Sequence, residues 1–382
     1  MKVTLYTPTF FSIDDKKREN RVFQFGQVLA KNGVEPVLYT FTRPLETATS
    51  LLSEGVVTLE GVTIKKYEPK VIRIIGLPPQ YFSRKLVKDL ALEPSDIVHI
   101  HGFSQFPLLL SILRKLTLPV VLSFHQLQGQ YQSLATSFRE RLFKKTLAHV
   151  GKRVSLFTVD TPQDKNILLK LGTPEGKIAF IHQSIDYFKM ASTPRNEEDL
   201  ILTVGRYAPN KGLHNLIDAA LTMLDTYPQV KFYFVGTVFD KEYYNFLREK
   251  IRGHETHINV TGPLEETKLL DLFSRAKLFI FPSVKDTHGL INLEAMAAGI
   301  PIIATKVEGT TSLINDGMNG ILVPPDDVPA LVESIMNLWK DKEKRGVLIK
   351  NGRETAKRFY WQHYAREMLE VYSRVLSHSD NR

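Results

Sequence analysis

Short runs of consecutive apolar residues alternate along this chain with longer stretches whose apolar residues recur every three or four positions. The first kind reads as buried strand, the second as amphipathic helix. In the first half the pattern predicts a strand over Lys2–Thr7 ended by Pro8, a polar loop Ser12–Asn20, and a helix Val22–Ala30 closed by Gly33. Strands follow at Val37–Tyr39, Val62–Tyr67 and Asp96–His101, with 43–81 otherwise ambiguous. A helix Phe106–Leu116 precedes a strand Pro119–Phe124 that delivers His125. A basic helix from about Thr136 to Val150, a strand Leu156–Val159, a helix Pro162–Lys170 and a strand Lys177–Ile181 complete this half. Residues 189–199 are polar and contain proline, which predicts a boundary between domains over 1–188 and 189–361. The second half alternates more cleanly, with strands at Leu200–Val204, Val230–Val235, Ile258–Val260, Lys277–Phe281, Ile302–Thr305 and Gly320–Val323. Helices are expected from Leu213, over Asp240–Arg252, Glu265–Ala276 and Leu290–Ala298, near Thr310, and from Asp326 to about Trp339. The tail Arg345–Leu376 reads as two helices around Trp361. Strands alternating with helices predict an α/β protein with parallel sheets.

The segment Phe281–Thr305, FPSVKDTHGLINLEAMAAGIPIIAT, is a strand–loop–helix–strand unit. Gly299 stops its helix and Pro301 forbids continuation. Asp286 and His288 lie in the loop, Gly289 leads into Leu290 and Ile291, and Glu294 sits about a turn inside the helix. In an open parallel sheet such a loop lies where ligands bind. Asp286 and Glu294 are too far apart in sequence for one regular helix face, but they converge if the helix begins between them. A second reading stays open, with Asp286 a loop or cap residue and Glu294 solvated.

GRYAPNKG, Gly205–Gly212, follows one predicted strand and precedes a helix. Glycine admits close approach of a ligand to the backbone. The free N–H groups and dipole of a helix start favour an anion, and Arg206 and Lys211 add two cations. The loop suits a diphosphate, yet matches neither the dinucleotide glycine fingerprint nor the lysine-containing phosphate loop.

Composition narrows the classes. At 382 residues two domains are expected. No cysteine is present, which excludes disulfides, thiolate metal sites and cysteine nucleophiles. No run approaches the ~18 apolar residues of a membrane span, and the N-terminus lacks the apolar core of a signal peptide, so a cytoplasmic protein is expected. The charge of +9 lies wholly in the first half, where residues 1–190 carry 26 basic and 16 acidic side chains, +10, against 24 and 25 in the remainder. Arg139, Arg141, Lys144, Lys145, Lys152 and Arg153 form its densest cluster. A solvated basic helix face is one reading of residues 139–153; peripheral contact with an anionic membrane, on its inner face, is the other. No nucleic-acid motif accompanies the charge. No acidic pair sits in a suitable loop for a metal, since Asp14-Asp15 and Asp326-Asp327 read as a surface loop and a helix start.

Taken together, these motifs resemble the family-4 retaining glycosyltransferases with the GT-B fold, over nearly the whole chain and most strongly from Ile201 to Pro324. GRYAPNKG is similar to that family's phosphate loop, VTGPLEETKLLDLFSRAKLFIFPS to its base-lining segment, and KDTHGLINLEAMAAGIPIIAT to its acid-x7-acid signature. DIVHIHG and VVLSFHQ occur in the family's order. The resemblance implies two Rossmann-like domains with parallel sheets facing across a cleft, an acceptor side before residue 188, and a C-terminal helix, about 362–380, packed back on it. It implies a nucleoside diphosphate sugar as donor, no cofactor or metal, and a glycan, small-molecule or lipid-linked acceptor. Arg206 and Lys211 would hold the diphosphate, with Gly205, Gly289, Leu290 and Ile291 around it. Gly262 and Leu264 would line the base, Glu294 would hold the ribose hydroxyls, and Asp286 the sugar. His125 would stand near the sugar, with His101 a weaker candidate.

Three places differ from the family pattern. The loop Pro8–Asn20 lacks its glycine pair. Asp286 replaces the commoner glutamate and is followed by Thr287-His288. Gln183-Ser184 stands where Asn-Gly is usual. In one reading His288 fills the gap left by the missing methylene of Asp286; in the other it is an exposed loop histidine without a role. Two other classes fit the same segments: a nucleotide-sugar-binding protein without transfer, and a sugar-nucleotide epimerase or phosphorylase.

Overall fold

The computed structural model describes residues 1–10, 21–42, 54–73, 80–102, 106–124 and 145–379. The chain forms two compact units, Met1–His182 together with Trp361–Arg382, and Gln183–Tyr360.

The first unit is built on an eight-stranded sheet. Its strands are β1 (Lys2–Phe10), β2 (Glu35–Phe41), β3 (Gly55–Leu59), β4 (Val62–Tyr67), β7 (Ile97–His101), β8 (Val120–Phe124), β9 (Leu156–Val159) and β10 (Ile178–Phe180), while β5 (Lys70–Ile72) and β6 (Gln80–Phe82) form a separate hairpin. The order across the sheet is β10-β9-β8-β7-β1-β2-β4-β3. Every pairing is parallel except β3 with β4. Helices cover both faces, which is why β7 and β8 are buried at every position and read as unbroken apolar runs. The helix Trp361–Ser379 belongs to this unit: Trp361, Tyr364, Ala365, Met368, Val371, Tyr372 and Val375 join the core of Val3, Leu5, Phe25 and Leu38. Within that core His99 places Nδ1 2.6 Å from the Tyr372 hydroxyl and Nε2 2.6 Å from Ser123 Oγ.

The second unit carries a wholly parallel six-stranded sheet of β11 (Leu200–Val204), β12 (Lys231–Val235), β13 (Ile258–Thr261), β14 (Leu278–Phe281), β15 (Ile302–Thr305) and β16 (Ile321–Val323). Its order is β13-β12-β11-β14-β15-β16. Side-chain caps start its helices where the sequence offers Asp: Asp240 accepts from the Tyr243 N–H at 2.9 Å and Asp327 from Ala330 at 2.9 Å.

Several expectations change. β1 runs to Phe10 rather than stopping at Pro8, because its register with β2 shifts between Tyr6 and Phe10 and no ladder bond is asked of the proline. The helix Arg84–Leu92, capped by Ser83, lies where the pattern predicted nothing. The division between units falls before Gln183, ahead of the polar segment 189–199 and of residue 188. Ile185 and Met190 already pack in the second core, and the Ile185 N–H donates to Phe359 O at 2.7 Å. The loop Ser12–Asn20 and the first part of the basic helix, 136–144, lie outside the described residues.

Candidate active site

β11 and β14 are neighbours at the middle of the second sheet, and the strand order reverses between them. Such a reversal opens a crevice at the carboxyl ends of the two strands. The two loops singled out by sequence are the ones that leave β11 and β14.

They are fastened to each other. The Asn210 carbonyl accepts from Val284 N–H at 2.9 Å and Lys285 N–H at 3.1 Å, and Asn210 Nδ2 donates to the Lys285 carbonyl at 3.0 Å. Gly212, at φ +59°, begins the helix Leu213–Leu224, and a Cβ there would stand 2.1 Å from the Pro282 oxygen. Lys211 Nζ donates to Asp286 Oδ2, with the two side chains only 14% and 12% exposed. Asp286 Oδ1 accepts from the backbone N–H of His288 at 3.2 Å and Gly289 at 3.4 Å, just ahead of the helix Leu290–Ala297. Burial alone would raise the Asp286 pKa; the Lys211 charge and these hydrogen bonds outweigh it and hold the carboxyl below the usual range. The side chain is short enough to fold back on its own loop, as aspartate does in turns. His288 Nδ1 lies 2.8 Å from Thr287 Oγ1.

Arg206 is exposed and its guanidinium carbon sits 4.9 Å from the centre of the Phe239 ring. The segment carrying Phe239 is laced to the first loop: Gly205 N–H donates to Val235 O, Tyr207 N–H to Thr237 O, and Asp240 N–H to Tyr207 O, each at 2.9 Å. Gly236 makes this possible, since a Cβ on it would come within 1.7 Å of the Gly205 oxygen. Glu294 is half-buried in the second turn of the helix Leu290–Ala297. Leu290, Ile291 and Leu264 are partly buried and pack on the same core. Gly262 and Leu264 follow β13, so they share the sheet edge to which β11 and β14 point.

Arg206, Lys211, Asp286, His288 and Gly289 thus come from two adjoining loops, as the sequence pattern predicts. His125 directly follows β8 and lies outside the described residues. His101 closes β7, buried, its ring 4.0 Å from that of His99. Sequence reasoning missed Asn210, Gly236 and Phe239. Only Gly236, a glycine immediately after an apolar strand, carries a signal of close backbone approach.

Two family models match the chain in succession, the one described as Glycosyltransferase Family 4 over residues 19–187 and Glycosyl transferases group 1 over residues 186–355. The chain belongs to the family-4 glycosyltransferases of the GT-B fold. Among its relatives, alpha-monoglucosyldiacylglycerol synthase of Acholeplasma laidlawii is 25% identical over 83% of this chain and 84% of its own length. Phosphatidyl-myo-inositol mannosyltransferase of Mycolicibacterium smegmatis is 24% identical over 98% and 94%. Of solved structures, sucrose-phosphate synthase from Thermosynechococcus elongatus superposes with a TM-score of 0.71 at 20% identity, covering 98% of this chain and 99% of that one. HepE of Anabaena in complex with UDP does so at 0.72 and 17%, covering 98% and 100%.

The glycosyltransferase is therefore an enzyme of sugar transfer. Among its described residues no helix is long and apolar enough to cross a membrane, and no three His, Asp or Glu side chains are grouped as a metal ion would need.

Proposed function

We propose that this glycosyltransferase moves a hexosyl group from a nucleoside diphosphate sugar to a hydroxyl acceptor, with retention at the anomeric carbon and without a metal ion. The observation that carries the reading is the placement of Arg206 and Lys211 at a glycine-bounded helix start, in loops joined across the switch point of the second sheet. As the bond from the anomeric carbon to the diphosphate breaks, its electron pair passes to the leaving phosphate oxygen. Arg206, Lys211 and the first N–H groups of Leu213–Leu224 stabilise that charge. The acceptor oxygen bonds to the carbon on the face just vacated, and its proton passes to the departing phosphate.

Lys211 is already balanced by Asp286, so the two cations differ in role. Asp286 fixes the lysine in place, and Arg206, which has no carboxylate partner among the described residues, supplies the unmatched charge. With Asp286 engaged by Lys211 and its own loop, one carboxylate oxygen edge remains for the sugar, and His288 supplements it. Glu294 holds the ribose hydroxyls, Gly262 and Leu264 flank the base, and the family resemblance makes His125 the candidate to act on the sugar. The UDP complex of HepE supports a nucleotide donor, and relatives named for diacylglycerol and phosphatidyl-myo-inositol support a lipid-linked acceptor. That acceptor fits a protein resting on the inner face of an anionic membrane through residues 139–153, of which Lys145, Lys152 and Arg153 are exposed.

The test is transfer from a panel of nucleoside diphosphate sugars to diacylglycerol, phosphatidylinositol and free sugars, with and without EDTA, and assignment of the product's anomeric configuration by NMR. Transfer that survives EDTA and keeps the donor's configuration is expected. Hydrolysis of donor without transfer to any acceptor, or transfer that only Mg²⁺ or Mn²⁺ restores, would overturn the reading.

A further inference from the structure

The helix Phe106–Lys115 and the segment 145–154 of the first unit enclose a cavity of about 400 Å³. Its walls are of two kinds. Leu110, Leu113 and Val150 are apolar, with Leu113 and Val150 buried. Arg114, His149, Lys152 and Arg153 are exposed at its opening. Among the described residues no acidic side chain lines the cavity, and none of these four is paired with a carboxylate.

The helix that ends at Gly151 has no need of these cations. Its carbonyl end is met from beneath by Lys177, whose Nζ donates to Gly151 O at 3.3 Å and Val154 O at 3.2 Å. Cations gathered without partners repel one another, and the part-exposed side chain of Leu110 beside them stays wetted. One ligand chemistry relieves both: a phosphate ester carrying hydrocarbon.

We propose that this cavity seats the phosphate headgroup of an anionic lipid, with the first carbons of its chains against Leu110, which Leu113 and Val150 back from the core. This deepens the membrane contact proposed above and is independent of the donor site. It replaces a diffuse basic face by a defined site that includes Arg114, which is far in sequence from residues 139–153. The apolar wall favours the lipid over inorganic phosphate.

The experiment is co-sedimentation of the full chain with phosphatidylglycerol and phosphatidylcholine vesicles at low salt. It compares the wild type with Arg114→Gln/Arg153→Gln and with Lys70→Gln/Arg73→Gln, a pair of exposed residues elsewhere on the same unit that lowers net charge equally. Circular dichroism melts confirm that both variants fold. The wild type is expected to prefer phosphatidylglycerol, the cavity variant to lose roughly thirtyfold in vesicle affinity, and the control variant to lose no more than a few fold. Equal losses in the two variants would overturn the cavity while leaving a diffuse membrane contact. No preference for phosphatidylglycerol by the wild type would overturn both. Inorganic phosphate that stabilises the wild type but not the cavity variant, without vesicle binding by either, would assign the cavity to a free anion and overturn the lipid.

Discussion

Lys211 and Asp286 leave neighbouring strands on separate loops and meet as a largely buried ion pair, with the second Asp286 oxygen turned back onto its own backbone. One carboxylate thereby sets the position of a proposed diphosphate ligand and the conformation of the loop proposed to meet the sugar.

The pair has a pH signature. The folded Asp286 carboxyl is held below its ordinary value, and the unfolded one titrates near 3.9. Its contribution is therefore complete above about pH 4 and is lost as pH falls through the lower folded value. Asp286→Asn should cost the second unit about 2 kcal/mol at neutral pH, less than a fully buried pair because both groups keep some solvent. Urea melts can follow Trp339 in a Trp361→Phe background, since the chain has two tryptophans. The wild-type midpoint should fall more steeply than that of the Asn variant between pH 5 and 3; parallel curves would show the pair to be of no consequence.

Arg206→Ala should weaken binding of UDP or the preferred nucleoside diphosphate roughly ten- to a hundredfold with stability unchanged, because among the described residues the exposed guanidinium meets only Phe239. Lys211→Ala should lose a similar factor and also destabilise, since it strands Asp286. Calorimetric titration beside thermal melts separates the two patterns. Wild-type affinity in both variants would remove the phosphate clamp.

Gly236→Ala tests the lacing of Phe239 to the first loop. With 1.7 Å between the new Cβ and the Gly205 oxygen, the backbone must shift, at a cost of roughly 1–3 kcal/mol. A fall in nucleotide affinity beyond that of Phe239→Leu is expected, because the whole Gly205–Tyr207 segment moves and not only the ring under Arg206. An unaltered melt and affinity would mean that the contact is absent in solution.

Glu294→Gln should impair nucleotide binding while the fold persists. A carboxylate accepts from both ribose hydroxyls, whereas the amide has one accepting oxygen. Titration with the 2′-deoxy nucleotide provides the comparison: wild type should discriminate against it, and the Gln variant should discriminate less. Equal affinity of the wild type for both nucleotides would free Glu294 of this role.

Strands buried on both faces, such as β14 and β15, were legible because parallel sheets demand unbroken apolar runs. Arg206, Lys211 and Asp286 were legible because glycine and proline punctuate the loops that hold them. Their pairing was not. An ion pair between residues 75 positions apart leaves no local pattern, and neither does the stacking of Phe239 on Arg206. The short helix Arg84–Leu92 escaped because Leu86, Val87 and Leu90 are too few to establish a period. The division at Gln183 escaped because polarity at 189–199 marks solvent exposure, whereas the true division depends on which core Ile185 joins.

The helix Trp361–Ser379 completes the core of a unit whose other residues precede Gln183. During synthesis the second unit, contiguous from Gln183 to Tyr360, has all its chain available first. The first unit waits with Phe25 lacking Tyr364, and His99 lacking Tyr372, until the helix Trp361–Ser379 leaves the ribosome. The unit that holds Lys2–Phe10 is thus completed after the unit of Gln183–Tyr360, and a nascent chain stopped before Trp361 leaves the apolar face that receives this helix open.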